Sequence, residues 1–205
     1  MLCNIKMAYK ISISGIDGCG KSTLIPQVVD HYAKGQTVVK FGRPIYVQKG
    51  DERIYIARWV SDISDRVHML CDKINFRTGV GIVNIGYGAI HSLIGWHILK
   101  KYDPSLIITE RDPILDSAVY STYYFPPTKH ISSGLRLKLT KEASQEDYPD
   151  GLLFMAIPVE VALERIEKRI QAEQVNGDNI RGKKSGICMK ILMTLQNYQN
   201  ILRNA

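Results

Sequence analysis

The residues in this chain whose types and spacing could do chemistry begin at Gly15-Ile16-Asp17-Gly18-Cys19-Gly20-Lys21-Ser22, with Thr23 directly behind. The spacing fits G-x-x-x-x-G-K-[ST], a loop whose backbone N–H groups cradle phosphates. Glycines let the loop curl so that successive N–H groups point inward, and a helix N-terminus adds partial positive charge. In such a loop Lys21 reaches the β- and γ-phosphates of a nucleoside triphosphate, and the Ser22 hydroxyl ligates Mg²⁺. ATP with Mg²⁺ is therefore the expected cofactor pair, held by Gly15, Asp17, Gly18, Cys19, Gly20, Lys21, Ser22 and Thr23.

A second group of reactive side chains, Glu110-Arg111-Asp112-Pro113, follows the apolar run Ser105–Thr109. An acid at the tip of an apolar strand, after a phosphate loop, suits the positioning of Mg²⁺ or its water, so Glu110 joins Ser22 as a metal candidate. Arg111 has the forked donors that bridge phosphoryl groups. Asp116, Ser117 and Tyr120 then open a helix facing the acceptor side. A third candidate is Arg43, just past the apolar run Thr37–Phe41, because residues beyond the carboxyl ends of parallel strands line the ligand crevice.

The elements that must position these groups can be read from periodicity. Tyr9–Ser14 reads as a buried strand before the loop, and Leu24, Ile25, Val28, Val29 and Tyr32 recur at helical spacing after it until Gly35. Strands are expected at Thr37–Phe41, Ser105–Thr109 and Gly151–Ile157. Helices are expected over Ile54–Met69, Tyr87–Tyr102 and Gly134–Ser144, from Glu160 onward, and over Ile187–Leu202. The glycine-rich stretch Gly79–Gly88 and the stretch Tyr123–His130 read as loops. The polar, basic stretch 174–186 has the composition of a loop that closes over a nucleotide and brings cations to the transferring group.

At 205 residues, 45% apolar and 23% charged, the chain suits one soluble domain with a lid segment at about 168–187. No unbroken apolar run reaches the roughly 20 residues that span a bilayer, so no membrane association is expected. The net charge of +7 is spread along the chain without aromatic-interleaved basic runs. It points to phosphorylated small molecules rather than nucleic acid. Cys3, Cys19, Cys71 and Cys188 lack metal or disulfide spacing, and a cysteine inside the phosphate loop points to a reducing, cytoplasmic setting.

The loop Gly15–Thr23 is similar to the G-x-D-G-x-G-K-S-T loop of thymidylate kinases. Tyr148–Ile166 resembles that family's segment of Pro-Asp, apolar strand and Pro-Glu-Val-Ala-Leu-x-Arg-Ile. Glu110-Arg111 falls where the family has Asp-Arg-Tyr, and Asp65-Arg66 resembles its helix-borne Asp-Arg segment that contacts the base. The resemblance implies a P-loop three-layer α/β/α fold with parallel strand order 2-3-1-4-5. It also implies transfer of the ATP γ-phosphate to dTMP or a related monophosphate, with Arg43, Arg66, Glu110, Arg111 and Tyr120 on the acceptor, and a homodimer. Some members carry a catalytic arginine at the position of Gly18. Here it must come from the lid, with Arg169 and Arg181 as candidates and Arg165 behind them.

Departures from the family open alternatives. Glu-Arg-Asp also resembles the Glu-Arg-Ser motif of deoxynucleoside kinases, which carry a glutamate base after strand two. Arg43 stands where that base is expected, which favours an anionic acceptor. The family's final strand and helix have no counterpart before Ala205, so either the adenine pocket is built differently or the sequence is truncated. A nucleotide-binding regulator is the third reading.

Overall fold

A computed structural model describes residues 8–74, 76–112, 114–144 and 148–175. The strands are β1 (Tyr9–Gly15), β2 (Thr37–Phe41), β3 (Ile45–Lys49), β4 (Glu52–Ile56), β5 (Leu106–Glu110) and β6 (Gly151–Met155). The helices are α1 (Lys21–Ala33), α2 (Arg58–Lys73), α3 (Arg77–Tyr102), α4 (Leu115–Tyr124), α5 (Ser133–Ser144) and α6 (Val159–Val175). A 3₁₀ turn, Pro126–His130, joins α4 to α5.

The strands form one sheet in the order β4-β3-β2-β5-β1-β6. The four strands expected from the sequence are its parallel part, β2-β5-β1-β6, in the 2-3-1-4 order of the expected fold. They are legible because buried parallel strands read as short β-branched runs. The expected fifth strand has no place among the described residues, and the predicted helix Ile187–Leu202 lies outside them.

Alternate residues of β2 point to opposite faces of the sheet, and each face has its own helical layer. Val38 packs with Ile13, Ile108, Ile25 and Val29 under α1. Val39 packs with Ile45, Val47 and Ile98 under α3. On the β6 side, Ala162 and Ile166 of α6 close against Ile16 and Cys19 of the phosphate loop. A further cluster, with Ile114, Leu115, Val119 and Leu137, seats α4 and α5.

Two expectations are corrected. The helix predicted from Ile54 begins at Arg58. Residues before it form the hairpin β3-β4, antiparallel to β2, with Lys49 opposite Glu52 across a turn at Gly50, φ +59°. The predicted loop Gly79–Gly88 is helical, the first half of the 26-residue α3. A Cβ on Gly81 would lie 2.7 Å from Phe125, and one on Gly95 would lie 3.3 Å from Phe41. These glycines let neighbouring rings approach the helix. Read whole, α3 is long and apolar enough to cross a membrane by length and composition, although it holds no unbroken apolar run of that length. Its Ile98 is nevertheless fully buried against the sheet.

Candidate functional site

Parallel register brings the reactive groups together. Ile13 pairs with Glu110, and Phe41 pairs with Thr109. The phosphate loop, Glu110-Arg111 and Gly42-Arg43 therefore leave the sheet side by side, at the carboxyl ends where α/β folds bind ligands.

The loop has the backbone its chemistry requires. Gly18 and Gly20 hold φ of +84° and +100°, which side-chain-bearing residues rarely adopt, and Gly20 leads directly into α1. The Lys21 ammonium donates to the carbonyls of Gly15 at 2.7 Å and Ile16 at 3.0 Å, which folds it over the loop. Ser22 and Thr23 are exposed at the start of α1. A Cβ on Gly18 would lie 2.7 Å from the Ala162 carbonyl and 3.2 Å from Ile166. Helix α6 thus closes the space that an arginine at this loop position would need.

Arg111 occupies the junction of the loop and α4. It takes φ +70°, and its guanidinium lies 3.0 Å from Asp17 and 5.5 Å from the centre of the Tyr120 ring. Asp112 caps α4, its Oδ1 accepting the N–H groups of Ile114 at 2.9 Å and Leu115 at 3.0 Å. One turn on, Asp116 is buried. Burial pushes its carboxyl up to about 7, with Asp112 and Asp17 adding to the shift and Arg111 and Lys21 opposing it.

Glu110 faces Lys40, whose buried ammonium sits 2.8 Å from its carboxylate. Gly42 is the crossing point: a Cβ there would lie 2.7 Å from the Lys40 Nζ and 2.9 Å from Glu110. Lys40, an alternating position on β2, was not singled out from the sequence.

Arg43 is tied to the helices above the sheet. It donates to Asp65 at 3.2 Å and Asn84 at 2.7 Å, meets His68 Nδ1 at 3.2 Å, and lies over the Tyr87 ring at 4.7 Å. Burial and nearby Arg111 pull its guanidinium below the ordinary range, against the Asp65 carboxylate. Tyr87 donates to the Gly42 carbonyl at 3.3 Å and meets Ser61 at 3.0 Å, which anchors the same corner. Arg66, the expected base contact, is exposed on α2, and the α2 side chains that reach Arg43 are Asp65 and His68.

Of the lid-side arginines, Arg165 reaches the loop, its Nη1 lying 3.5 Å from the Gly18 carbonyl. Arg169 is exposed one turn further along α6, and Arg181 lies outside the described residues.

No protein-family model matches the chain, and no curated protein matches it. Among solved structures it is similar to deoxyadenosine kinase from M. mycoides with the products dCMP and a flexible dCDP bound. That match has a TM-score of 0.58 at 14% identity, over 95% of this chain and 84% of the other. The same enzyme with bound dATP matches with a TM-score of 0.51 at 16% identity, over 96% and 86%. The shared feature is the fold, a P-loop α/β architecture with helices on both sides of a mostly parallel sheet.

Proposed function

We propose that this chain is an ATP-dependent phosphotransferase that transfers the γ-phosphate to the hydroxyl of a deoxynucleoside. The observation that carries this reading is the placement of Asp116, a buried carboxyl in the first turn of α4 near enough to Arg111 and Lys21 for both charges to act on it, with burial pushing it up to about 7. A hydroxyl acceptor must lose a proton during transfer, and a carboxylate titrating near working pH is suited to take it. A monophosphate acceptor is already anionic and needs no such group. The sequence places an arginine, Arg43, where the base was expected, and Asp116 supplies one from the neighbouring strand–helix junction.

Arg43 supports the same reading from the other side. Its guanidinium is committed to Asp65, Asn84 and the Tyr87 ring, so its fork serves to order a polar corner above the acceptor. That corner, with Asp65, His68 and Asn84, offers donors and acceptors of the kind a nucleobase edge requires. Glycine-lined backbone, Lys21 and the start of α1 would hold the triphosphate. Arg111, braced by Asp17 and Tyr120, would offset charge on the transferring phosphoryl group.

The exposed Ser22 hydroxyl at the start of α1 would be the protein ligand offered to Mg²⁺, and Glu110, whose carboxylate is ion-paired with Lys40 at 2.8 Å, would act on the ion's waters. Bound there, the ion would supply positive charge that offsets what develops on the transferring phosphoryl group.

Transfer to dTMP is the second reading, favoured by the proximity of two cations, Arg43 and Arg111, at the acceptor side. ADP release from Mg·ATP, measured against deoxynucleosides, dTMP and other monophosphates, decides between them. Turnover with deoxynucleosides exceeding that with every monophosphate is the expected result. Turnover confined to monophosphates would transfer the assignment to the second reading, and no turnover with any acceptor would overturn both.

A further inference from the structure

Lys40 is a buried charge that the phosphotransfer chemistry leaves unexplained. It follows Val38 on the face of β2 that packs under α1, where Val38 is wholly buried among apolar side chains. Register sets Lys40 beside Ile108 of β5, two residues short of Glu110. Its stem carries the ammonium forward to that carboxylate, 2.8 Å away, and the ammonium also donates to the Pro44 carbonyl at 3.2 Å. Gly42 closes over the pair, since a Cβ there would lie 2.7 Å from Lys40 Nζ and 3.1 Å from a Glu110 carboxylate oxygen. Taking an ammonium out of water is costly, and replacing a buried ion pair with apolar side chains is often neutral or stabilising. Stability alone therefore does not call for a lysine here.

Charge at the crevice gives it a use. Asp17 in the phosphate loop is paired with Arg111 at 3.0 Å, and Glu110 at the strand tip is paired with Lys40. Both carboxylates are thus neutralised by the chain's own cations. A neutralised carboxylate attracts a divalent cation far less than a bare one does. Of the second pair, the Lys40 side chain is 5% exposed and the Glu110 side chain 20%, so the carboxylate is the member open to the crevice. That order also argues against Lys40 as a direct phosphate ligand.

We infer that Lys40 is a positioning residue that limits the grip of Glu110 on Mg²⁺. The ion is then held chiefly by the phosphates of the nucleotide, and enters and leaves with them. This inference rests on the reading of Gly15–Thr23 and Glu110 as a Mg·ATP site. Lys40 contributes no ligand of its own; it acts through the carboxylate it holds.

The test separates the metal's share of nucleotide binding from the nucleotide's own. Calorimetry gives the affinity of the full-length chain for a non-hydrolysable ATP analogue, once with Mg²⁺ and once with a chelator. The ratio of the two affinities is the coupling between metal and nucleotide. Lys40→Met should raise that ratio by about tenfold or more, because a positive charge near the ion is gone and the carboxylate is released. Adding Glu110→Gln to that variant should abolish the gain. Lys40→Arg keeps the charge and should stay within about threefold of the natural ratio. A lysine with a structural role only would shift both affinities together and leave the ratio unchanged. Far-ultraviolet dichroism checks folding, and if Lys40→Met does not fold, Lys40→Gln carries the same expectation. A ratio for the uncharged variant equal to or below the natural one overturns the proposal, as does a gain that survives Glu110→Gln. A natural chain that binds the analogue neither with Mg²⁺ nor without it overturns the nucleotide-site reading, and this proposal with it.

Discussion

The guanidinium of Arg111 lies 3.0 Å from the Asp17 carboxylate, so the tip of β5 is clasped to the phosphate loop. Arg111 is 43% exposed, which limits such a pair to about 1 kcal/mol of stability at most. Its consequence is positional: the same clasp holds a cation where the loop and α4 meet. Arg111→Ala is expected to lower kcat by about a thousandfold, the scale of a transition-state arginine. Asp17→Asn should change the unfolding free energy by less than about 1 kcal/mol and lower kcat by less than Arg111→Ala. Steady-state ADP release and thermal unfolding measure the two effects separately. Equal kcat for Arg111→Ala and the natural sequence would remove Arg111 from the chemistry.

Asp116 makes a pH-dependent prediction with a definite sign. Burial raises its folded-state value to about 7 from the ordinary carboxyl value of 3.8, so the native state binds the extra proton between those limits. Stability from this group is therefore full below the unfolded value and lost as pH rises through about 7. Asp116→Asn removes that loss, and should raise unfolding free energy at pH 8 relative to pH 4 by up to about 4 kcal/mol compared with the natural sequence. Activity runs the other way. If the carboxylate is the base, kcat/KM rises with pH through about 7, and Asp116→Asn is slower by roughly 10²–10⁴-fold with a flattened profile. A variant that gains stability but keeps the natural pH–rate profile would make Asp116 a structural acid.

Gly18 tests the packing of loop against α6. Its φ of +84° and the Ala162 carbonyl 2.7 Å from a Cβ both oppose any side chain. Gly18→Ala should cost about 1–3 kcal/mol, and Gly18→Arg more, with loss of ATP binding rather than gain of a catalytic cation. Denaturant unfolding and calorimetric ATP titration check this. An active, stable Gly18→Arg protein would show that α6 moves aside.

What could be read from the sequence follows from how locally each signal is encoded. The loop and the four parallel strands depend on contiguous residues, Gly15–Thr23 and apolar runs such as Leu106–Thr109, and the structure has them within a residue or two. Hairpin β3-β4 was hidden because Ile54, Ala57 and Val60 also satisfy a helical period, while the turn at Gly50 is a single residue's signal. Helix α3 was hidden because its glycines break propensity. Their reason is long-range, the rings of Phe125 and Phe41 lying against Gly81 and Gly95. The Arg43 corner joins residues 22 to 41 apart along the chain, so Asn84 and His68 carry no signal beside Arg43 itself.

The arginines of α6 separate by distance from the loop. Arg165 donates toward the Gly18 carbonyl at 3.5 Å and lies 3.7 Å from a Cβ placed on Gly20, so its charge already borders the phosphate cradle. Arg169 lies a turn further along α6, and both side chains are exposed. A cation used only as charge moves to the transferring group lowers kcat when removed and leaves nucleotide affinity nearly intact. Arg165→Ala is therefore expected to reduce kcat by about 10²–10³-fold with ATP affinity changed less than about tenfold, and Arg169→Ala to do much less. Arg165→Lys should recover part of the loss, since the charge returns without the fork. Single-turnover rates with ATP titrations on these three variants and on Arg181→Ala decide it. If Arg169→Ala or Arg181→Ala proves the slower enzyme, Arg165 is reduced to packing on the loop, and the catalytic cation arrives from further along the chain.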